Sequence, residues 1–352
     1  METAPITASA PASARSKAPV FVLGCPRSGT TLLYHMLLST RNFVMYPTES
    51  QAFNLLEPRF GNLRVPRNRR RLLAEWEKSS LFTCTGLEAA QVEKDTADCE
   101  NVGSFLRKIM ESMARKQGVQ RWAECTPDHL LALPRIKQTI PDALVIHIIR
   151  DGRDVALSLA KQQWIRPLPW DRDKQLHTAA LFWEWIVSRG REHGKALGGD
   201  YKEIRYEDLV DDPRSTLASV GQFIGQDLDY DQILRVGIGS VRKPNSSFGK
   251  EGSNGNFRPV ARWKKSMTPA LLGQIEALIG NTLVDLGYEL EKVARGDASL
   301  TRMRTLYQAY FSTKLILKNK TPMGRMFGSD LEFLGLQAEG CLLYTSPSPR
   351  DS

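Results

Sequence analysis

Gly24-Cys25-Pro26-Arg27-Ser28-Gly29-Thr30-Thr31 is the stretch whose residue types and spacing most plainly do chemistry. Its glycines have the GxxxxG spacing of a loop that wraps a phosphate. Set between a strand and a helix, such a loop turns successive backbone N–H groups inward. The helix N-terminus adds partial positive charge. Arg27 contributes a fixed, forked cation, and Ser28, Thr30 and Thr31 contribute hydroxyls. A Walker loop would carry Lys followed by Ser or Thr where Thr30 and Thr31 stand. A nucleoside triphosphatase would therefore lose its β/γ-phosphate contact and its magnesium arrangement here. The bland reading, a plain strand-to-helix turn, does not explain why every position suits an anion.

A second charged cluster, Arg150-Asp151-Gly152-Arg153-Asp154, follows the apolar run 143–149, with Ser158 further along. If 143–149 is a strand and 151–161 a helix, Arg150 leaves the strand end and Ser158 lies about two helical turns on. Both side chains can then face one phosphate. A solvated charged turn is the alternative for this cluster taken alone.

The elements that must position these groups follow from apolar periodicity. Val20-Phe21-Val22-Leu23 is a short buried strand. Leu32, Leu33, Met36 and Leu37 recur at helical spacing behind the loop. A second short strand is expected over 44–46, ending at Pro47, and another over 201–206. Residues 63–78 are Arg-rich and poor in strand formers, 105–115 have a helical pattern, and 176–193 form a long Trp-rich helix. The region 207–223 reads as a loop and helix, and 240–261, rich in Gly, Asn and Ser, as a long loop. Strands alternating with helices predict an α/β protein, a P-loop-like three-layer fold with a central, mostly parallel sheet flanked by helices. No internal repeat is found.

Composition bounds the remaining choices. The chain has 352 residues, 41% hydrophobic and 25% charged, which excludes wholesale disorder and fibrous repeats. Its net charge of +9 suits an anionic ligand or surface without naming it. No run reaches the roughly 18 to 20 apolar residues of a membrane helix. Residues 1–18 read as a disordered Ala/Pro/Ser leader without the apolar core of a secretory signal. Cys25, Cys84, Cys99, Cys125 and Cys341 include no CxxC pair, and no metal-ligand cluster is visible, so no metal is expected. Thiols in that pattern suit a reducing compartment, and the expected location is cytoplasmic. The tail CLLYTSPSPRDS resembles the translation of a transposon adapter used in sequencing libraries, so 341–352 are expected to be non-native. That leaves 19–300 as the catalytic domain and 301–340 as a basic C-terminal extension.

The loop PRSGTT resembles the 5′-phosphosulfate loop of sulfotransferases that use 3′-phosphoadenylyl sulfate (PAPS). The segment Arg150-Asp151-Gly152-Arg153-Asp154 with Ser158 resembles their 3′-phosphate motif, RDxRDxxxS after a strand. Further matches spread the resemblance over residues 19–290. Trp122-Ala123-Glu124-Cys125-Thr126-Pro127 is similar to the WGEKTP element of the broad bacterial and protein-tyrosine branch. Arg205-Tyr206-Glu207-Asp208-Leu209 resembles the RYEDL strand end, and Arg262-Trp263 the basic-Trp step after the late nucleotide loop.

The resemblance implies transfer of a sulfonate from PAPS to a hydroxyl or amine acceptor, with 3′-phosphoadenosine 5′-phosphate (PAP) as product and no metal. It implies nucleotide contacts from Arg27, Ser28, Gly29, Thr30, Thr31, Arg150, Ser158, Tyr206, Ser247 and Arg262. Arg27 is also expected to serve the reacting sulfonate. Cys125 departs from the family, which carries Lys there; a neutral thiol supplies no charge to the transferring group and a thiolate would repel it. Glu49, in Tyr46-Pro47-Thr48-Glu49-Ser50, resembles the catalytic Glu of the tyrosyl branch with a one-residue slip. His129 is the rival, near the histidine position of the cytosolic branch and better matched to neutral pH. Glu49 is favoured; the bland reading of His129 is a partly exposed histidine at a helix start.

Weaker features have two readings each. Trp164, Trp170, Trp183 and Trp185 line an acceptor pocket or, more in keeping with such clusters, form core. Arg64, Arg67, Arg69, Arg70 and Arg71 form a solvated face, or meet an anionic acceptor or headgroups. Residues 301–329 contain no acid; their basic, partly apolar composition suits a peripheral membrane contact, but a helix docked on the catalytic domain suits it better. A P-loop nucleotide kinase is the alternative enzyme, opposed by the missing lysine. A non-enzymatic nucleic-acid or membrane binder ranks last, since nothing resembles a recognition helix or RNA-binding motif, and no nucleic-acid partner is expected.

Overall fold

The computed structural model describes residues 12–242, 259–291 and 297–321. Four strands, β1 (Val20–Leu23), β2 (Ala123–Glu124), β3 (Leu144–Ile149) and β4 (Tyr201–Arg205), form one parallel sheet in the order β2-β1-β3-β4. Val20 pairs with Leu144 and Val145 with Tyr201, which places the carboxyl ends of β1, β3 and β4 side by side. Strand side chains alternate between faces, and two cores result. Phe21, Leu23, Val145 and Ile149 enter one; Val20, Val22, Leu144, Ile146 and Ile148 enter the other.

Helices cover both faces. The first core is closed by α3 (Val102–Gln117), α4 (Gly152–Gln162), α5 (Gln175–Lys195), α7 (Pro269–Asp285) and α8 (Ala298–Lys320). The second is closed by α1 (Thr30–Ser39) and α6 (Pro213–Ile224) through Leu33, Leu37, Leu217, Val220 and Ile224. The Arg-rich stretch forms α2 (Pro66–Trp76), whose Leu72, Leu73 and Trp76 are buried while Arg71 pairs with Glu75 at its surface. This is the expected three-layer α/β arrangement. No described helix is long and apolar enough to cross a membrane.

Two expectations need correction. Residues 44–46 form no strand; only a bridge between Phe43 and Arg121 remains. The Gln117 side chain explains why, since it accepts from Met45 N–H at 2.7 Å and donates to Met45 C=O at 3.0 Å in place of a neighbouring strand. The described end of the leader is ordered: residues Ala12–Arg15 are helical and Arg15 is buried. Arg15 donates to Phe223 C=O at 2.9 Å and Gly199 C=O at 2.8 Å and pairs with Asp200. Buried Arg121 donates in turn to the carbonyls of Arg15 and Ala18. Residues 1–11 lie outside the described residues. The start of the basic extension is a helix docked on the domain, the reading its composition favoured. Tyr307 and Phe311 of α8 are buried in the first core, and Arg304 donates two hydrogen bonds to buried Glu184 at 2.8 and 2.9 Å.

Arg15→Ala leaves the carbonyls of Phe223 and Gly199 without this donor. It should lower unfolding free energy by about 1–3 kcal/mol, read as a shifted urea midpoint. Starting the chain at Ala18 should have a similar effect.

Candidate active site

The loop between β1 and α1 is shaped by two close approaches. A Cβ on Gly24 would lie 2.4 Å from the Ile148 carbonyl, so β3 passes too near for any side chain. Gly29 has φ of 96°, and a Cβ there would meet the Tyr206 ring at 2.2 Å. Arg27 adopts φ of 74° despite its side chain, a strained conformation that its contacts must hold. Its Nε donates to Ser158 Oγ at 3.0 Å, its guanidinium lies over the Trp164 ring, and its carbonyl accepts from Arg150 Nη1 at 3.1 Å.

Arg150 is buried. It also donates to Pro259 C=O at 2.5 Å and stacks 4.5 Å from the centre of the Tyr206 ring. Burial and the neighbouring charge of Arg150 both push the Arg27 pKa down. Arg262 adds positive potential at Tyr206 and Asp154. Cations held together in this way call for an anion. Two further observations fit one: Ser28 Oγ and Arg150 Nε, both at this loop, are among the buried side-chain atoms that have no hydrogen-bond partner, and native folds usually satisfy such atoms. The residues present therefore fit a phosphate-bearing nucleotide. Thr30 is buried at the helix start and Thr31 is exposed beside it. Ser247 lies outside the described residues.

The other acids and bases of the RDGRD cluster are structural. Asp151 caps α4 by accepting from Arg153 N–H at 2.9 Å. Arg153 is bound by Asp151 and Glu276, 2.8 and 2.6 Å away, with the Trp263 ring 3.7 Å from its guanidinium. Trp263 N–H and Nε1–H donate to Asp154 and Asp151. Trp183 Nε1–H donates to Arg150 C=O at 3.1 Å and so holds the strand end that carries Arg150.

Glu49 lies near the loop. Its charge acts on Cys125, whose thiol is hydrogen-bonded with Thr30. Partial desolvation, then the charges of Asp128 and Glu124, push the Glu49 pKa up to about 8, against the amide of Gln51, which donates to it at 2.7 Å. The carboxylate is still solvent-accessible and keeps some hydration, so the upward direction is what its chemistry uses. Gln51 accepts in turn from Asn54, which lines a cavity of about 620 Å³. Burial and the carboxylates of Glu124 and Glu49 hold Cys125 well above the ordinary thiol range, so it stays a neutral thiol.

His129 is not placed to act as the base. It is fully buried; Nε2 accepts from Phe53 N–H at 3.0 Å, so Nδ1 carries the proton and donates to Glu124 at 3.0 Å. Burial would raise the Glu124 pKa, but the imidazole and the hydroxyls of Thr126 and Ser50 outweigh it and hold it below the usual range. No lone pair of His129 faces a substrate. The sequence reading passed over its neighbour Asp128, which lines the cavity; adjacency to His129 was its one signal.

The tryptophans divide. Trp183 and Trp185 are buried, the second lining the cavity, while Trp164 on its rim and Trp170 are 56% and 68% exposed. Among the described residues, no three His, Cys, Asp or Glu side chains are placed to hold a metal.

A family model described as the sulfotransferase family matches residues 19–230. Nodulation protein NoeE of Sinorhizobium fredii is 26% identical over 346 residues, which covers 84% of this chain and 73% of that protein. Among solved structures, the sulfotransferase domain from the curacin biosynthetic pathway superposes with a TM-score of 0.50 at 16% identity, covering 78% of this chain and 98% of that one. The sulfotransferase domain of the Synechococcus PCC 7002 olefin synthase gives 0.42 at 18% identity over 84% and 94%. The curacin likeness shows the shared fold.

His129→Ala would strand the buried Glu124 carboxylate and Phe53 N–H. Thermal and urea unfolding should show a loss of about 3–5 kcal/mol, with nucleotide affinity retained in the folded fraction.

Proposed function

The chain belongs to the sulfotransferase family, and from its site we propose that it transfers a sulfonate from PAPS to a hydroxyl on an acceptor bound in the cavity beside Pro26 and Asp128. The observation that carries the nucleotide half is the pair Arg27 and Arg150, joined through the Arg27 carbonyl, with the unpartnered hydroxyl of Ser28 between β1 and α1. PAPS supplies the activated sulfonate and a phosphate leaving group. Arg150 and Ser158 would hold the 3′-phosphate, with Tyr206 and Arg262 beside it. The loop N–H groups, Ser28 and Thr30 would hold the 5′ end. Arg27, which also reaches Ser158, is placed between the two halves and would offset charge on the departing oxygen.

A kinase reading is not supported, because Thr30 replaces the cation that phosphoryl transfer would use. Cys125 is hydrogen-bonded with Thr30 and stands where the WGEKTP element that this segment resembles has Lys, so charge stabilisation here falls to Arg27 and the loop amides. The acceptor proton would go to Glu49. A carboxylate with a raised pKa is a better match to an alcohol proton than an ordinary one. Among the described residues no disulfide joins Cys25, Cys84, Cys99 or Cys125, which suits a reducing compartment, and we place the protein in the cytoplasm.

Arg150→Ala should weaken PAP binding by about 2–4 kcal/mol and ADP binding far less, since ADP lacks the 3′-phosphate. Isothermal titration with both ligands tests this, and equal losses would remove Arg150 from the 3′-phosphate site.

Glu49 works as a base only when ionised. Its raised pKa therefore predicts turnover that climbs with pH through a midpoint well above the ordinary carboxylate range and then levels off. Glu49→Gln should cut turnover by roughly 10² to 10⁴, abolish that rise and leave PAP affinity intact. A pH–rate profile of both proteins reads it.

A further inference from the structure

The cavity of about 620 Å³ is large enough for a molecule of drug size. Its walls are aromatic, with Phe53, Trp164, Phe182, Trp185, Tyr310 and Phe311 among them. Its charged lining is lopsided: Arg166, Lys314 and Lys318 stand against one carboxylate, Asp128. Among the described residues, none of those three cations has an ion-pair partner within 4.0 Å. We propose that the acceptor carries, besides the hydroxyl it presents, an anionic group on an apolar body, and that Lys314 and Lys318 with Arg166 bind that group. The proposal rests on the cavity being the acceptor side of a sulfotransferase.

The wall that carries these lysines is built rather than loose. Arg304, Gln308, Phe311, Leu315 and Lys318 of α8 recur at three- and four-residue spacing and so share one helix face. The early part of that face is an anchor. Arg304 and Gln308 both donate to Glu184 of α5, which Thr282 of α7 also reaches, and the Tyr307 hydroxyl donates to Asp171 and accepts from Leu168 N–H. Trp185 donates to Ser312 at 3.1 Å. With that half fixed, the next turns put Tyr310, Phe311, Lys314, Leu315 and Lys318 on the cavity.

Lys318 is the more informative of the two lysines. Desolvation lowers its pKa, and Lys314 lowers it further; Asp128 opposes them without cancelling the shift. A half-buried ammonium kept in this way is destabilised in the free protein, and a bound anion would relieve it. The lysines lie beyond residues 19–230, the stretch the family model matches. They stand on the acceptor side, distinct from the nucleotide machinery.

The test uses the full chain with PAP saturating the nucleotide site and two fluorescent probes of similar shape. One is 1-anilinonaphthalene-8-sulfonate, an apolar aromatic with an anion; the other is neutral N-phenyl-1-naphthylamine. Lys314→Met with Lys318→Met should weaken the anionic probe about tenfold or more and leave the neutral probe unchanged. Equal effects on both probes, or no binding of the anionic probe to the unaltered chain, would overturn the proposal. If the double variant melts early, Lys318→Met alone, which touches none of the anchors, carries the same comparison. Phenylacetate, phenyl phosphate and phenyl sulfate as displacers distinguish a carboxylate from a phosphate or sulfate, and displacement by neutral benzyl alcohol as strong as theirs would count against it. A chain that fails to bind PAP removes the sulfotransferase reading, and the separate PAP titration shows this independently of the probes.

Discussion

The buried guanidinium of Arg153 is the interaction on which the arrangement of the site depends. It lies between the carboxylates of Asp151 and Glu276 under the face of Trp263. A charge buried to this degree is tolerated only with partners on every side. Those partners come from different parts of the chain: Asp151 from the β3–α4 junction, Glu276 from α7, Trp263 from the segment before it. Removing either acid would leave an uncompensated charge in the core. The cluster therefore locks α7 and the Trp263 segment onto the carboxyl end of β3, where Arg150 begins.

From that lock the nucleotide side follows. Glu207 accepts from Asp151 N–H and from the Tyr288 hydroxyl, both at 2.9 Å, and this sets the turn after β4 from which Tyr206 projects. Tyr206 then closes on Gly29, leaving no room for a side chain there, and its ring receives Arg150. The loop backbone, the tyrosine and the arginine determine one another's positions. A parallel sheet places its binding crevice at the carboxyl ends of its strands, and here β1, β3 and β4 each contribute one wall.

The acceptor side is assembled differently. Glu124 gathers Ser50, Thr126 and His129 around one buried carboxylate. His129 passes this order to the Phe53 backbone, and so to the segment that carries Gln51 and Asn54 toward the cavity. The histidine is thus a positioning residue, buried where a proton acceptor would have to be reachable. Glu49 stands outside the cluster and remains open to solvent, near the neutral Cys125 thiol. The pKa values of Glu49 and Glu124 are displaced in opposite directions: at Glu49 desolvation and the charges of Asp128 and Glu124 outweigh the one Gln51 amide, whereas at Glu124 His129, Thr126 and Ser50 together outweigh burial.

Much of this was legible in one dimension because it is local. The strand–loop–helix unit at 20–39, the strand 144–149 and the long helix after residue 175 follow from apolar spacing, and the anion-binding loop follows from glycine spacing and residue type. Arg27, Arg150, Ser158 and Tyr206 were named from short segments, and the fold brings them together. What periodicity cannot carry is the identity of a distant partner. Whether residues 44–46 make a strand depended on Gln117, 72 residues away from Met45. Whether the end of the leader, residues 12–18, was ordered depended on the carbonyls of Gly199 and Phe223. Arg153 and Asp154 sit in the same motif as Arg150, yet only long-range packing turned them inward as framework and left Arg150 facing the loop. His129 and the lysines of α8 show the same division. Residue type announces what a group can do; burial and the neighbours brought in by the tertiary fold decide whether it is free to do it.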